Sequence, residues 1–478
     1  MGEGAELPSD RTNRGSLGRG KEAPYRSSLA LSGLFWGLLG LVLLAPLPFG
    51  SVHRVSWLAL TAGVALLLLA WSVVALRRDL VHGLGSRLLG LSAGGFLLVL
   101  AWIAVQAASF TPQSLHHPVW AAAATLLDAP VSSAISLEPE ATLSAGLRLA
   151  GYGAVFWLSF QLCRSRRRCH RAFVALGPAI AGYATYGLWA HLGGSGLVLW
   201  HEKQSYLDSL TGSYINRNSF ATFLGIGLVV TTTLVLRYCV DLLQRHRSLR
   251  QVLLLSIGSW SYRTVVVFVA WCILLSALLL TNSRAGVVST ALAILTLFVL
   301  QLRSAAHGRG TLAIVAVVMV VFAGVFLAVS GEELWIRILT AEHESRFRIY
   351  AATLQAIAER PWLGTGFGTF EDAIQMWQGP ESAGYVAKGH NSYLETAMEL
   401  GVPAAILLTL AIAGPAIRCL VVAPSSSGRV GIPEAGVAAT VLVGLHSTLD
   451  FSLQIPANAV VYAFVMGLAA TRSLERAH

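Results

Sequence analysis

The chain has 478 residues, 55% of them hydrophobic and 12% charged, and a net charge of +10. Soluble domains carry about 25% charged residues, so this composition excludes an ordinary soluble enzyme and indicates a membrane protein. The basic excess does not imply nucleic acid, because most basic residues sit in short loops between apolar runs, where positive charge sets membrane orientation.

The first 26 residues are polar, Gly-rich and basic, and read as a disordered cytoplasmic tail. The apolar run that follows lacks a small-residue cleavage site and reads as an uncleaved first span. About twelve spans follow from the apolar runs, at roughly 28–47, 57–76, 88–107, 142–162, 172–192, 218–236, 264–281, 285–302, 311–329, 401–421, 433–449 and 457–472. Each is close to the roughly 20 residues that a bilayer requires. Barrel strands would be about ten residues long with strict alternation, so the predicted fold class is an all-α polytopic membrane protein. A large, partly helical loop at 330–400 separates spans nine and ten. The predicted division is the tail 1–26, an N-terminal bundle 27–200, a core 201–421 containing that loop, and C-terminal helices 422–478.

Orientation follows from arginine. Arg77, Arg78 and Arg87, then Arg164, Arg166, Arg167, Arg168 and Arg171, then Arg245, Arg247 and Arg250, then Arg303 and Arg309, then Arg418 and Arg429 fall in alternate loops. Those loops share one face, read as cytoplasmic, with both termini. The opposite, periplasmic face carries the loops at 108–141, 193–217 and 330–400, and 108–141 has no Lys or Arg. Cations on that face need a reason; they are Arg54, Lys203, Arg217, Arg284, Arg337, Arg346, Arg348, Arg360 and Lys388. Cys163, Cys169, Cys239 and Cys419 lie near inner ends of spans and Cys272 within one, so neither a disulfide framework nor a Cys-based metal site is expected.

Several outer stretches have the residue types for chemistry. Tyr214-Ile215-Asn216-Arg217-Asn218 stands at the mouth of the sixth span. Thr281-Asn282-Ser283-Arg284-Ala285-Gly286 joins spans seven and eight through a connection too short to be a loop, which puts Arg284 at the membrane boundary. An arginine there is costly unless paired or functional. Its fork matches phosphate oxygens, so two such arginines suit a diphosphate; an interfacial, snorkelling anchor is the alternative. Residues 345–358 read as an amphipathic helix with Phe347, Tyr350, Leu354 and Ile357 at helical spacing and Pro361 ending it, its charges either binding or solvated. Gly364, Gly366 and Gly368 mark a tight backbone turn and lack the context of a nucleotide fingerprint. His390 precedes a helix leading into the tenth span; an imidazole can accept a hydroxyl proton near neutral pH, though a structural histidine has the same signature. His446 and Asp450, four apart near the outer end of the eleventh span, read as a structural or site-supporting pair. No DxD, HExxH, CxxC or GxSxG pattern occurs, so no metal or other cofactor is expected.

The stretches Asn216 to Phe220, Thr281 to Gly286, Arg360 to Gly366 and His390 to Leu394 resemble the O-antigen ligase family, which shares a membrane module with O-antigen polymerases. The resemblance spans roughly 200–410 and, more weakly, His446 to Pro456. It implies a metal-independent, inverting glycosyltransferase of the bacterial inner membrane. Such an enzyme moves a glycan from undecaprenyl diphosphate to a hydroxyl of lipid A–core on the periplasmic face. By motif, Arg217 and Arg284 are implied to hold the diphosphate and His390 to activate the acceptor. Arg346, Arg360, Asn218, Asn391 and Tyr393 are implied substrate contacts, with His446 and Asp450 in support. A polymerase of the same family is the nearest alternative. A glycan transporter is the alternative from another class, although transporters place ionisable residues near the bilayer midplane and often repeat their halves.

Overall fold

A computed structural model describes residues 29–78, 83–245, 262–303, 341–378, 386–423 and 430–475. The predicted tail 1–26, the span 311–329 and Arg337 lie outside them. The described chain is almost entirely helical: α1 Leu29–Leu44, α2 Arg54–Arg78, α3 Arg87–Ala107, α4 Val119–Leu127, α5 Pro139–Leu162, α6 Arg166–Leu192, α7 Arg217–Arg245, α8 Tyr262–Leu280, α9 Arg284–Arg303, α10 Ala341–Glu359, α11 Phe370–Ala373, α12 Ser392–Leu400, α13 Val402–Val422, α14 Ile432–His446 and α15 Pro456–Glu475. One small hairpin, β1 Leu197–Val198 and β2 His201–Glu202, interrupts the pattern.

Seven described helices (α2, α3, α7, α8, α9, α13 and α15) are long and apolar enough to cross a membrane, so the protein is multi-pass. The expected spans at 142–162 and 172–192 are helices of 24 and 27 residues, α5 and α6, but Arg148 and the run Arg166-Arg167-Arg168 make them less apolar. The first and eleventh are shorter, with 16 and 15 residues.

Residue size explains the layering. α7 and α15 are buried along almost their whole length, whereas α2, α3 and α8 leave most of theirs at the surface. Small residues let the central helix approach its neighbours: a Cβ on Gly467 of α15 would lie 1.8 Å from Ser159 Oγ of α5. Dispersion between closely approaching backbones holds such helices together where no hydrophobic drive acts between them.

Above the bundle, α10, α11 and α12 form a small layer around Ala356, Phe370, Ile374 and Met398. Gly364 (φ +69°) and Gly401 (φ +79°) join it to the bundle: a Cβ on Gly364 would sit 2.2 Å from Glu399 O, and one on Gly401 2.4 Å from Trp362 O. Only glycine permits that backbone approach in this conformation. Gln106, wholly buried at the end of α3, donates to Leu363 O and Glu399 O and accepts from Phe367 N. The expected continuous helix from His390 into the tenth span is therefore two helices, α12 and α13, broken at Gly401.

Candidate functional site

α7 and α9 begin in the same way. Asn216 Oδ1 accepts from the amides of Asn218 (2.7 Å) and Ser219, and Ser283 Oγ accepts from Gly286 N (3.2 Å). Each cap satisfies amides left orphaned at a helix start and fixes the residue after it, Arg217 or Arg284, in the first turn. The helices touch just below the arginines, since a Cβ on Gly286 would lie 2.5 Å from Ala221 Cβ. Ser209 bridges them, accepting from Arg217 Nη1 at 3.2 Å and from Asn282 Nδ2 at 3.5 Å. Two positive helix ends, each with a half-buried arginine in its first turn, are thus brought together. Arg217 also lies over the Tyr206 ring at 5.2 Å, and its Nε is buried with no hydrogen-bond partner among the described residues. Half-buried Asn218 follows it on the first turn of α7.

His390 has a φ of +50°, uncommon for a residue with a side chain. Its neighbours hold it there: Tyr350 Oη donates to His390 O at 3.1 Å, Gly389 N donates to Glu395 Oε2, and Asn391 Oδ1 caps α12 through Tyr393 N and Leu394 N. Lys388 Nζ also meets Glu395, at 3.4 Å. Tyr393 donates from Oη to Gly444 O and Ser392 from Oγ to Asp450 O, which docks α12 on the end of α14. Asn391 and Tyr393 therefore position His390 through a cap and a docking bond. Tyr206 and Asn282 also have positive φ, so uncommon backbone geometry recurs beside each candidate cation. Such geometry concentrates at functional sites.

The His390 ring places Nδ1 3.6 Å from Asp450 Oδ1; the imidazole is 29% exposed and the carboxylate not at all. Burial pushes the Asp450 acid up, but the facing His390, the neighbouring His446 and the Phe451 amide (2.8 Å) outweigh it and hold the carboxyl below its usual range. The sequence placed Asp450 with His446 on one helix face; instead α14 ends at His446, Asp450 lies in the turn beyond it, and its closest imidazole is His390. His446 bonds Ser452 Oγ through Nδ1 at 2.7 Å, and Thr222 Oγ1 donates to Ser452 Oγ at 2.8 Å. A buried polar chain thus runs from the second turn of α7 to His446, whose carbonyl accepts from Asp450 N at 3.0 Å.

Arg346 is half-buried on α10, one turn before Tyr350. Burial raises the Tyr350 phenol; the Arg346 charge opposes that rise and the Asp450 charge adds to it, so Tyr350 lies within reach of both. Arg360 is differently employed: Nε donates to Gly364 O, Nη1 to His116 O and Nη2 to Leu115 O. That fork clamps the 108–141 loop to the glycine turn. Sequence reasoning missed Ser209, Asn282 and Ser452 as connectors, and read Tyr350 only as an apolar helix position.

Among the described residues, no group of three His, Cys, Asp or Glu residues could hold a metal ion. No curated protein matches the chain. Residues 268–409, from α8 to α13 and including Arg284, Arg346 and His390, match the model of the family described as O-antigen ligase.

Proposed function

We propose that the protein transfers a glycan from undecaprenyl diphosphate to an acceptor hydroxyl, of lipid A–core in the ligase form, at the periplasmic face of the bacterial inner membrane. The observation that carries this reading is the pairing of α7 and α9, each opening with a capped arginine and bridged by Ser209. A diphosphate leaving group needs charge neutralised where it departs, and two arginines at two helix N-termini supply it. The family match over residues 268–409 supports glycan transfer or polymerisation in general.

In the proposed reaction, the acceptor oxygen attacks the anomeric carbon from the side opposite the diphosphate. The new C–O bond forms as the bond to the diphosphate breaks, inverting the centre. His390 Nε2 takes the acceptor proton, while Nδ1 faces ionised Asp450, which stabilises the resulting imidazolium. Arg217 and Arg284 hold the departing undecaprenyl diphosphate, and Arg346 holds the donor glycan near Tyr350. Each well-placed cation contributes about 3–4 kcal/mol, and the base about 10²–10⁴-fold.

Reconstitution with an undecaprenyl diphosphate glycan and candidate acceptors tests this. Arg284→Lys keeps the charge and loses the fork, so transfer should fall at least about tenfold while insertion is unchanged. Wild-type transfer by that variant would remove Arg284 from the mechanism. Long glycans on lipid-linked acceptors, with none on lipid A–core, would assign the polymerase reaction instead.

A further inference from the structure

A second cation lies in the bundle, away from the arginine pair. Arg148 sits in α5, in the third turn from its start, and borders a small, partly open recess of about 10 Å³ with Trp57, Thr61, Tyr152, Pro456 and Val460. Its guanidinium lies over the Trp57 ring at 5.2 Å. Among the described residues it meets no carboxylate and no hydrogen-bond acceptor. Depth follows from its neighbours. Trp57 is in the first turn of α2 and Pro456 is the first residue of α15, so the pocket stands where both helices enter the bilayer from the face carrying α10–α12. Tryptophan concentrates at that interfacial level. Leu58, Leu143 and Leu147 flank the pocket on α2 and α5, 39%, 54% and 50% exposed, as lipid-facing residues are.

An arginine beside apolar walls at headgroup depth retains much of its desolvation cost unless an anion meets it. One aromatic face offsets only part, about 0.5–2 kcal/mol. We propose that Arg148, on its open side, binds the phosphate of a membrane lipid, with Trp57 against the guanidinium and the lipid tail descending along α2 and α5. The pocket is distinct from the arginine pair. Pro456 and Val460 share one face of α15, whereas Asn458, about 200° round the helix from Pro456, donates to Ser219 O of α7 and accepts from Tyr214 Oη. A lipid held at Arg148 therefore abuts the helix turn whose other side supports the start of α7.

The test is native mass spectrometry of delipidated wild-type and Arg148→Gln protein. Both are titrated with phosphatidylglycerol, undecaprenyl diphosphate, diacylglycerol (a tail without phosphate) and inorganic pyrophosphate (phosphate without a tail). The wild type should retain a phosphate-bearing lipid about tenfold more strongly than the variant, whereas diacylglycerol, and pyrophosphate held at the arginine pair, should bind the two proteins alike. Preference for phosphatidylglycerol would identify a bilayer phospholipid, and preference for the carrier a waiting position for undecaprenyl diphosphate; both support the site. Equal retention of both phosphate-bearing lipids by the two proteins, or a loss of diacylglycerol or pyrophosphate in the variant as large as that of the lipids, would overturn it. Should Arg148→Gln fail to fold, Leu60→benzoylphenylalanine in an otherwise wild-type chain reads the same pocket in native membranes. A phosphate-bearing crosslinked lipid supports the proposal, and its absence overturns it. The readout is lipid binding, so it stands apart from glycan transfer.

Discussion

Asp450→Asn tests the proposed base most directly. The carboxylate is wholly buried, 3.6 Å from His390 Nδ1, and accepts the Phe451 amide at 2.8 Å. The amide oxygen of Asn can keep the second contact, so local structure should survive while the charge disappears. A full charge pair at that separation is worth about 4–5 kcal/mol at an effective dielectric of 20. The imidazolium charge is spread over the ring, and the Asn dipole replaces part of the interaction, leaving about 2–3 kcal/mol. Single-turnover transfer from an undecaprenyl diphosphate glycan should therefore slow by about 30- to 150-fold, with donor affinity little changed. His390→Ala should lose the whole base contribution, about 10²–10⁴-fold. Wild-type turnover in Asp450→Asn beside an inactive His390→Ala would show that Asp450 has no part in proton transfer.

Arg360→Gln removes a clamp on three carbonyls, so it should lower the melting temperature and leave donor affinity intact; weakened donor binding in a folded variant would return Arg360 to the substrate site. Gly364→Ala forces a side chain into φ +69° against Glu399 O, costing about 1–2 kcal/mol for the left-handed backbone plus the clash, and should unsettle α12 and lose transfer; unchanged melting and rate would disprove the close approach. Burial and the Glu395 charge push Glu399 up to about 8, outweighing Lys388 and the Gly368 and Phe370 amides. The folded state then keeps a proton that the unfolded chain loses above 4.5, so stability falls as pH rises from there through 8. Glu399→Gln should flatten that part of the melting profile; the same slope in both proteins would contradict a protonated Glu399.

Local features were legible in the sequence. Apolar length marked most spans, the four-residue spacing around Tyr350 marked α10, and the short connection at Thr281 placed Arg284 at the start of a helix. Pairing across long separations was not. Nothing near position 390 identifies Asp450, sixty residues on, as its partner, because that contact depends on where α14 ends and how α12 docks on it. The break at Gly401 was hidden for the same reason: its need for glycine comes from Trp362, which is remote in the chain. Arg148 was absorbed into an apolar run, and only the packing of α2, α5 and α15 reveals the pocket around it.

The arginines show what structure adds to a charge pattern. By sequence, Arg217 and Arg360 are equivalent: each is an outer cation beside a turn. The structure separates them by what already occupies the fork. Arg360 donates to three backbone carbonyls, and Arg472 at the opposite end of α15 donates to Cys163 O and Arg164 O. Arg360 thus acts as a backbone tie, and Arg472 pairs its charge with Glu475. Arg217 meets one hydroxyl and one ring and keeps a buried Nε without a partner, and Arg148 meets only a ring. An unpaired donor beside a membrane is costly to maintain, and an anion at Arg217 or at Arg148 would offset that cost. By that criterion Arg217 and Arg148, rather than Arg360, are the arginines at which phosphate should be sought.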